Sequence, residues 1–313
     1  MGRKIGNYLK KVFALSICFM VAVTSIGMCD VNAAKNMSKN SRGSITNKFK
    51  NGTLDYSIES KQDDEEYDDY GLKKVKKLVK HGYDVNKCFA GRTPLQIAVI
   101  NKDYKFAKSL LRKGADINAC SDVPRTPLYF AVINGDYKMT DLLLKKGAKV
   151  NVVDDCGFSP LYYACDDVGS GDYNESKYIR IIKLLLADQD EGSYYGSNPL
   201  LCACRNNNSN IVKLLLDYGF YVRVSEKGYS PLNCAAINGN VDMLQIILDN
   251  WKSRGRNTAD IVNDVNCFGF TALYYALLSG NKEAVQLLLD NGAKVNNDKL
   301  YNIQENIELL LKS

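Results

Sequence analysis

The feature that most constrains this chain is its self-similarity. TPLQIAVINKDYKFAKSLLRKGADIN begins at Thr93, and TPLYFAVINGDYKMTDLLLKKGAKVN begins at Thr126. Shorter copies open at Ser159 (SPLYYAC), Asn198 (NPLLCAC), Ser230 (SPLNCAAINGN) and Thr271 (TALYYALLSGN). A period of roughly 20–50 residues marks a stacked array, because a unit that small cannot bury its apolar faces alone. The spacing stretches twice. VGSGDYNES lengthens the third unit inside its helical pair, and WKSRGRNTAD lengthens the fifth after its second helix.

Local chemistry predicts two helices per unit. Thr126 before Pro127 is a helix start: a hydroxyl for the orphan amides, then a proline whose missing N–H costs nothing at the first position. Ile133-Asn134-Gly135-Asp136 ends that helix in a glycine turn. Met139, Leu142 and Leu143 give the second helix one apolar face. Gly147 supplies its left-handed exit, after Lys145 and Lys146, cations that suit a helix C-terminus.

These motifs resemble the ankyrin repeat. They match its Gly-x-Thr-Pro-Leu opening, its small-residue helix, its Gly-Asn or Gly-Asp turn, its Leu-Leu-Leu helix and its Gly-Ala-x-x-Asn exit. The resemblance covers six units from about Gly91 to Asn297, plus a half unit before them. It implies an all-α repeat solenoid of stacked helix pairs joined by β-turn loops. The expected division is a signal at 1–34, a flexible linker with an acidic run at 35–71, and an ankyrin-repeat domain at 72–313. Within that domain the half unit is 72–92, the units open at 93, 126, 159, 198, 230 and 271, and a capping helix occupies 301–313. The ends read as caps. Leu72, Val75, Leu78 and Val79 form one stripe backed by five lysines. Ile303, Ile307, Leu310 and Leu311 form another.

Ahead of the array, MGRKIGNYLKK is basic and Val12–Met28 is apolar, with small residues at Ala33 and Ala34. That is the pattern of a secretory signal cleaved after one of those alanines, and it predicts export across a membrane, to a secreted or periplasmic location. The alternative is an uncleaved segment 12–28 that anchors the chain as a membrane scaffold. Lys35–Lys61 is rich in Ser, Asn, Lys and Gly and reads as a linker. The acidic run Asp63–Asp69 steadies the start of the lysine-rich helix.

No reactive constellation stands out. The net charge of +6 is too mild to predict nucleic acid, especially with four basic residues in the first eleven. The single histidine, His81, sits where lysine stands in other units and cannot build a histidine metal site. GSGDYNES lacks the ending of a phosphate loop. The pair Cys202 and Cys204 in LLCACR looks like a metal or redox claw, but residues two apart on a helix point about 200° apart. Counted from the opener, Cys202 and Cys234 share one column, and Cys165 and Cys204 another. Both columns are mostly apolar, so these thiols are expected to be buried core residues. Equivalent positions on adjacent helices lie about 8–10 Å apart, too far for a disulfide. Free thiols follow, with no metal, no cofactor and no catalysis.

The resembled pattern places histidine after Thr-Pro-Leu, where it bonds within and between loops. This chain has Gln96, Tyr129, Tyr162, Leu201, Asn233 and Tyr274 there. Leu201 cannot form such a bond, and ADQDEGSYYG replaces the Gly-Ala exit before the fourth unit. A weaker junction between units three and four is expected. By the same resemblance, an unidentified protein partner meets the loop tips and the adjoining helix face, with a membrane involved only if the signal is retained. The implied contact residues are Phe89, Arg92, Asp122, Val123, Arg125, Asp155, Phe158, Tyr194, Tyr195, Glu226, Lys227, Tyr229, Phe268 and Phe270. On the helices they are Ile100, Ile133, Arg205, Ile237 and Leu278.

Overall fold

The computed structural model describes residues 48–50, 53–55, 71–120, 124–166, 175–187, 198–222, 230–266 and 268–295. The half unit contributes α1 (Leu72–Lys80). Six helix pairs follow: α2 (Pro94–Ile100) and α3 (Tyr104–Arg112), α4 (Pro127–Ile133) and α5 (Tyr137–Lys145), α6 (Pro160–Cys165) and α7 (Glu175–Ala187). The second half holds α8 (Pro199–Arg205) and α9 (Ser209–Asp217), α10 (Pro231–Ile237) and α11 (Val241–Ser253), a short α12 (Thr258–Val262), then α13 (Ala272–Ser279) and α14 (Lys282–Asp290). Within the expected linker, β1 (Lys48–Lys50) pairs antiparallel with β2 (Thr53–Asp55). The expected C-terminal capping helix lies outside the described residues.

Every first helix starts as its sequence requires. Thr93 accepts from the Gln96 amide at 3.2 Å while Gln96 Oε1 accepts from the Thr93 amide at 2.8 Å, a reciprocal pair that satisfies two orphan donors. Thr126, Ser159, Ser230 and Thr271 accept from the amide three residues on, and Asn198 accepts from Leu200 and Leu201. Four of the six second helices, α3, α5, α11 and α14, are capped by Asp103, Asp136, Asn240 and Asn281, and these caps also reach the preceding unit. Lys76 pairs with Asp103, Tyr104 donates to Asp136 at 2.5 Å, and Asn281 donates to the Gly239 carbonyl at 2.8 Å. A side chain that starts a helix therefore also fastens it to its neighbour.

The core is columnar. Leu95, Leu128, Leu161, Leu200, Leu232 and Leu273, two residues after each opener, are all buried. So are Ala98, Ala131, Ala164, Ala203, Ala235 and Ala276, whose small side chains let the first helices approach closely. Truncating one of those leucines to alanine costs roughly 2–5 kcal/mol in a site that cannot collapse. The first helices pack in one unbroken row, α2 to α4, α6, α8, α10 and α13. The second helices pack closely at α5–α7, α9–α11 and α11–α14, but less closely at α3–α5 and at α7–α9. These looser contacts lie at the junctions between units one and two and between units three and four.

Two expectations change. The fifth-unit insertion was expected to follow the second helix, but α11 itself runs 13 residues, and α12 is added behind it. The localisation expected from Val12–Met28 is also corrected. Among the described residues no helix is long and apolar enough to cross a membrane. The longest helices among the described residues have 13 residues, whereas a bilayer core needs about 20. The membrane-anchored alternative is withdrawn, residues 1–34 lie outside the described residues, and no export step enters the function argued below.

Candidate functional site

The loop tips are where partner-facing residues were expected, and those before the first, third and sixth openers lie largely among the described residues. The first is a tight hairpin. Phe89 and Arg92 exchange backbone hydrogen bonds at 2.7 and 3.1 Å, with Ala90 and Gly91 between them both at positive φ. Such a turn matches the twist of a hairpin. Lys74 lies 5.5 Å above the Phe89 ring, and Arg92 lies 5.0 Å above Phe130 in the next unit.

The third and sixth loops share one design around a buried anchor, Asp154 in one and Asn266 in the other. Asp154 Oδ1 accepts from the amides of Cys156 and Phe158, both at 3.0 Å, and Asp154 Oδ2 accepts from the Tyr163 hydroxyl at 2.7 Å. Asn266 Oδ1 accepts from Phe268 and Phe270 at 3.0 and 2.9 Å, and its amide donates to the Tyr275 hydroxyl at 2.8 Å. The backbone closes likewise in both: Asp154 N–H donates to Phe158 O and Asn266 N–H to Phe270 O, each at 3.0 Å. Sequence reasoning missed both anchors. The available signal was an Asp or Asn five residues before the opener, a glycine two before it, and a tyrosine four after it.

Electrostatics at the third loop follow from burial. Arg125 Nε stands 3.9 Å from Asp154 Oδ2, beyond hydrogen-bond range but close enough to neutralise a carboxylate with no exposed surface. The Arg125 guanidinium also lies 4.9 Å over Tyr129, which meets Tyr163 edge-on at 4.8 Å between centroids. Burial, reinforced by the hydrogen bond to Asp154, pushes the Tyr163 phenol well above its ordinary range, so it remains a donor. Asp154, Asp155 and Cys156 form a group with metal-ligand atoms within 4.8 Å of one another. The donor set does not fit a metal, because both Asp154 oxygens are already engaged with amides and Tyr163.

The predicted contact residues divide accordingly. Phe158 stacks on Tyr162 at 4.3 Å and Phe270 on Tyr274 at 4.1 Å, so both rings are half-buried in their own loop. Arg125 serves the Asp154 anchor. Asp155 and Arg205 are exposed, Phe268 is 41% exposed and Ile133 is 39% exposed, while Ile100, Ile237 and Leu278 are half-buried. Asp122, Val123, Tyr194, Tyr195, Glu226, Lys227 and Tyr229 lie outside the described residues. The position after Ile133 and Arg205 is structural: Asn134, Asn206 and Asn238 donate to the carbonyls of Ile100, Cys165 and Cys204 at 3.4, 3.3 and 3.0 Å.

Loop bases are tied as well. Gln96, at the histidine position, donates to the Arg125 carbonyl at 2.7 Å and the Ala119 carbonyl at 3.3 Å. Asn86 donates to the Gly114 carbonyl at 3.1 Å and accepts from the Asp116 amide at 2.7 Å, and Asn263 repeats this with Gly292 and Lys294. The seven described cysteines are free. Cys88, Cys120 and Cys156 are exposed, while Cys165, Cys202, Cys204 and Cys234 are buried. Burial pushes the four inner thiols up, Cys234 to about 12, so none is a ready nucleophile.

The geometry agrees with comparisons to known proteins. A model for ankyrin repeats (3 copies) matches residues 66–121, 173–261 and 227–299, and one for ankyrin repeats (many copies) matches 103–144 and 134–186. No curated relative matches the chain. An ankyrin repeat domain from Acinetobacter baumannii is 26% identical, with a TM-score of 0.54 over 64% of this chain and 98% of its own. The human ASB11 ankyrin repeat domain is 25% identical, with a TM-score of 0.55 over 72% and 96%. The ankyrin repeat domain of Bcl-3, a member of the IkappaB protein family, shares the fold at 24% identity and TM-score 0.56, over 71% and 99%.

Proposed function

We propose that this chain, which belongs to the ankyrin-repeat family, grips one protein partner through its loop tips and the exposed ends of its first helices. Ankyrin-repeat domains mediate protein–protein interaction and are not enzymes. The observation that carries the reading is a contrast within one row of residues. Phe158 and Phe270 stack within their own loops and Gln96, Asn86 and Asn263 tie loop bases together, while Phe268, Asp155, Arg205 and Ile133 are exposed. A large aromatic, an arginine and an aliphatic side chain on a rigid scaffold are suited to be binding anchors, since little freedom is lost when they are covered. The undescribed loop residues Asp122, Tyr194, Tyr195, Glu226, Lys227 and Tyr229 belong to the same proposed surface.

The test is affinity capture with the full chain beside a triple variant, Phe268→Ser, Ile133→Asp and Arg205→Glu. All three positions are exposed, so circular dichroism should give the same melting curve for both proteins. The expected result is a partner recovered by the parent and lost by the variant. Equal recovery by both proteins would refute this placement of the binding surface.

A further inference from the structure

Unit five departs from the repeat where α11 overruns its usual length. The helix closes with paired exit bonds: Gly255 N–H donates to the Lys252 carbonyl at 2.9 Å and Arg256 N–H to the Trp251 carbonyl at 3.4 Å, with Gly255 at φ 70°. This left-handed turn folds the chain back over its own last turn. It brings the Arg256 guanidinium 4.7 Å above the Trp251 ring, whose indole N–H is fixed by donation to the Asn257 carbonyl at 2.9 Å. Arg254 crosses to the preceding unit and lies 5.0 Å over Tyr221, while its Nε donates to Asn250 Oδ1 at 3.1 Å. Tyr221 is 54% exposed and neighbouring Tyr218 45% exposed. Lys252, which follows Trp251 in the last turn of α11, is exposed. Among the described residues none of the three cations is in an ion pair, and the nearby Asp249 is engaged by Gln245.

A helix C-terminus alone would favour cations here. That does not account for two guanidiniums placed 4.7 and 5.0 Å over aromatic rings from two different units. Stacking holds a guanidinium in place while leaving N–H edges free for a planar carboxylate. The ordering cost of binding is then largely met in the free protein. Three cations at one helix end are too few and too compact to track a phosphate backbone. We propose that Tyr221, Trp251, Lys252, Arg254 and Arg256 form a second docking surface, for an acidic segment of another protein. Its glutamate or aspartate carboxylates pair with Arg254 and Arg256. None of these residues belongs to the loop-tip surface above, so the two sites succeed or fail separately.

Trp251 is the only tryptophan in the chain, which makes it a local reporter. The full chain is titrated with acetylated hexaglutamate amide at about 0.15 M salt, where long-range attraction is screened. Trp251 fluorescence and the anisotropy of a fluorescein-labelled copy of the peptide are both followed. Saturable binding is expected, at least about tenfold weaker in Arg254→Gln/Arg256→Gln, as loss of charge-assisted bonds requires. The melting curve of that variant should be unchanged. The proposal is overturned if sodium chloride at matched ionic strength reproduces the response, or if the variant binds the peptide equally. Tighter binding of a thymidine oligonucleotide than of the peptide would also overturn it.

Discussion

Asp154 shows how much a single buried carboxylate can organise. It closes a hairpin through two amides, holds Tyr163 and is faced by Arg125. Removing it as Asp154→Ala strands those groups, at a cost of about 3 kcal/mol, because unpaired buried donors are expensive. Asp154→Asn should cost about 1 kcal/mol or less, since Asn266 already performs the same task with Tyr275. Urea denaturation of the two variants checks this, and an asparagine variant as unstable as the alanine one would refute the anchor role. The sequence did not expose this role. Phe158 and Phe270 read as partner-facing because they stand just before an opener. Whether such a ring points outward depends on the hairpin beneath it, and the anchor that turns the hairpin lies four residues upstream. Spacing alone carries no record of that turn.

At the scale of the helix, the reading from sequence was far more complete. The openers, the Gly135 and Gly147 turns and the apolar columns that hold the thiols fell where their periodicity placed them, because the 3.6-residue turn repeats the same burial in each unit. The thiols of α6, α8 and α10 followed from register alone. The length of α11 did not, since WKSRGRN carries neither an apolar stripe nor an early stop. The thiols give a pH prediction. Burial raises the folded pKa values of Cys165, Cys204 and Cys234, the last from 9.0 to about 12. A raised folded pKa means stabilisation that is full below the unfolded value and is lost as pH rises through the folded one. Stability should therefore decline from about pH 9 towards pH 12. Cys165→Ala/Cys204→Ala, which adopts the alanine that Ala236 supplies in the same column, should show a shallower decline in urea melts. An identical slope would mean the thiols do not set it. Below pH 9 a thiol reagent should modify Cys88, Cys120 and Cys156 while the other four described cysteines wait for unfolding.

Across the whole molecule, the first helices run as one row while the second helices are loosely joined at two places, α3–α5 and α7–α9. A stack held by neighbour contacts opens at its weakest interface. Hydrogen exchange should show amides of α3, α7 and α9 exchanging ahead of those in α4 and α10, the second-helix row giving way before the first. Uniform protection along the array would contradict this. The missing tie at Leu201 pointed to the junction between units three and four alone, whereas the packing of the second helices is loose between units one and two as well. The cross-unit hydrogen bonds bear on a different matter, the making of the chain. Asn134 reaches back 34 residues, Asn281 reaches 42 and Tyr178 reaches 45. Each bond closes a short stretch, so contact order is low and no unit waits for a distant strand. A chain leaving the ribosome can lock each unit once the next has emerged, and folding can keep pace with synthesis.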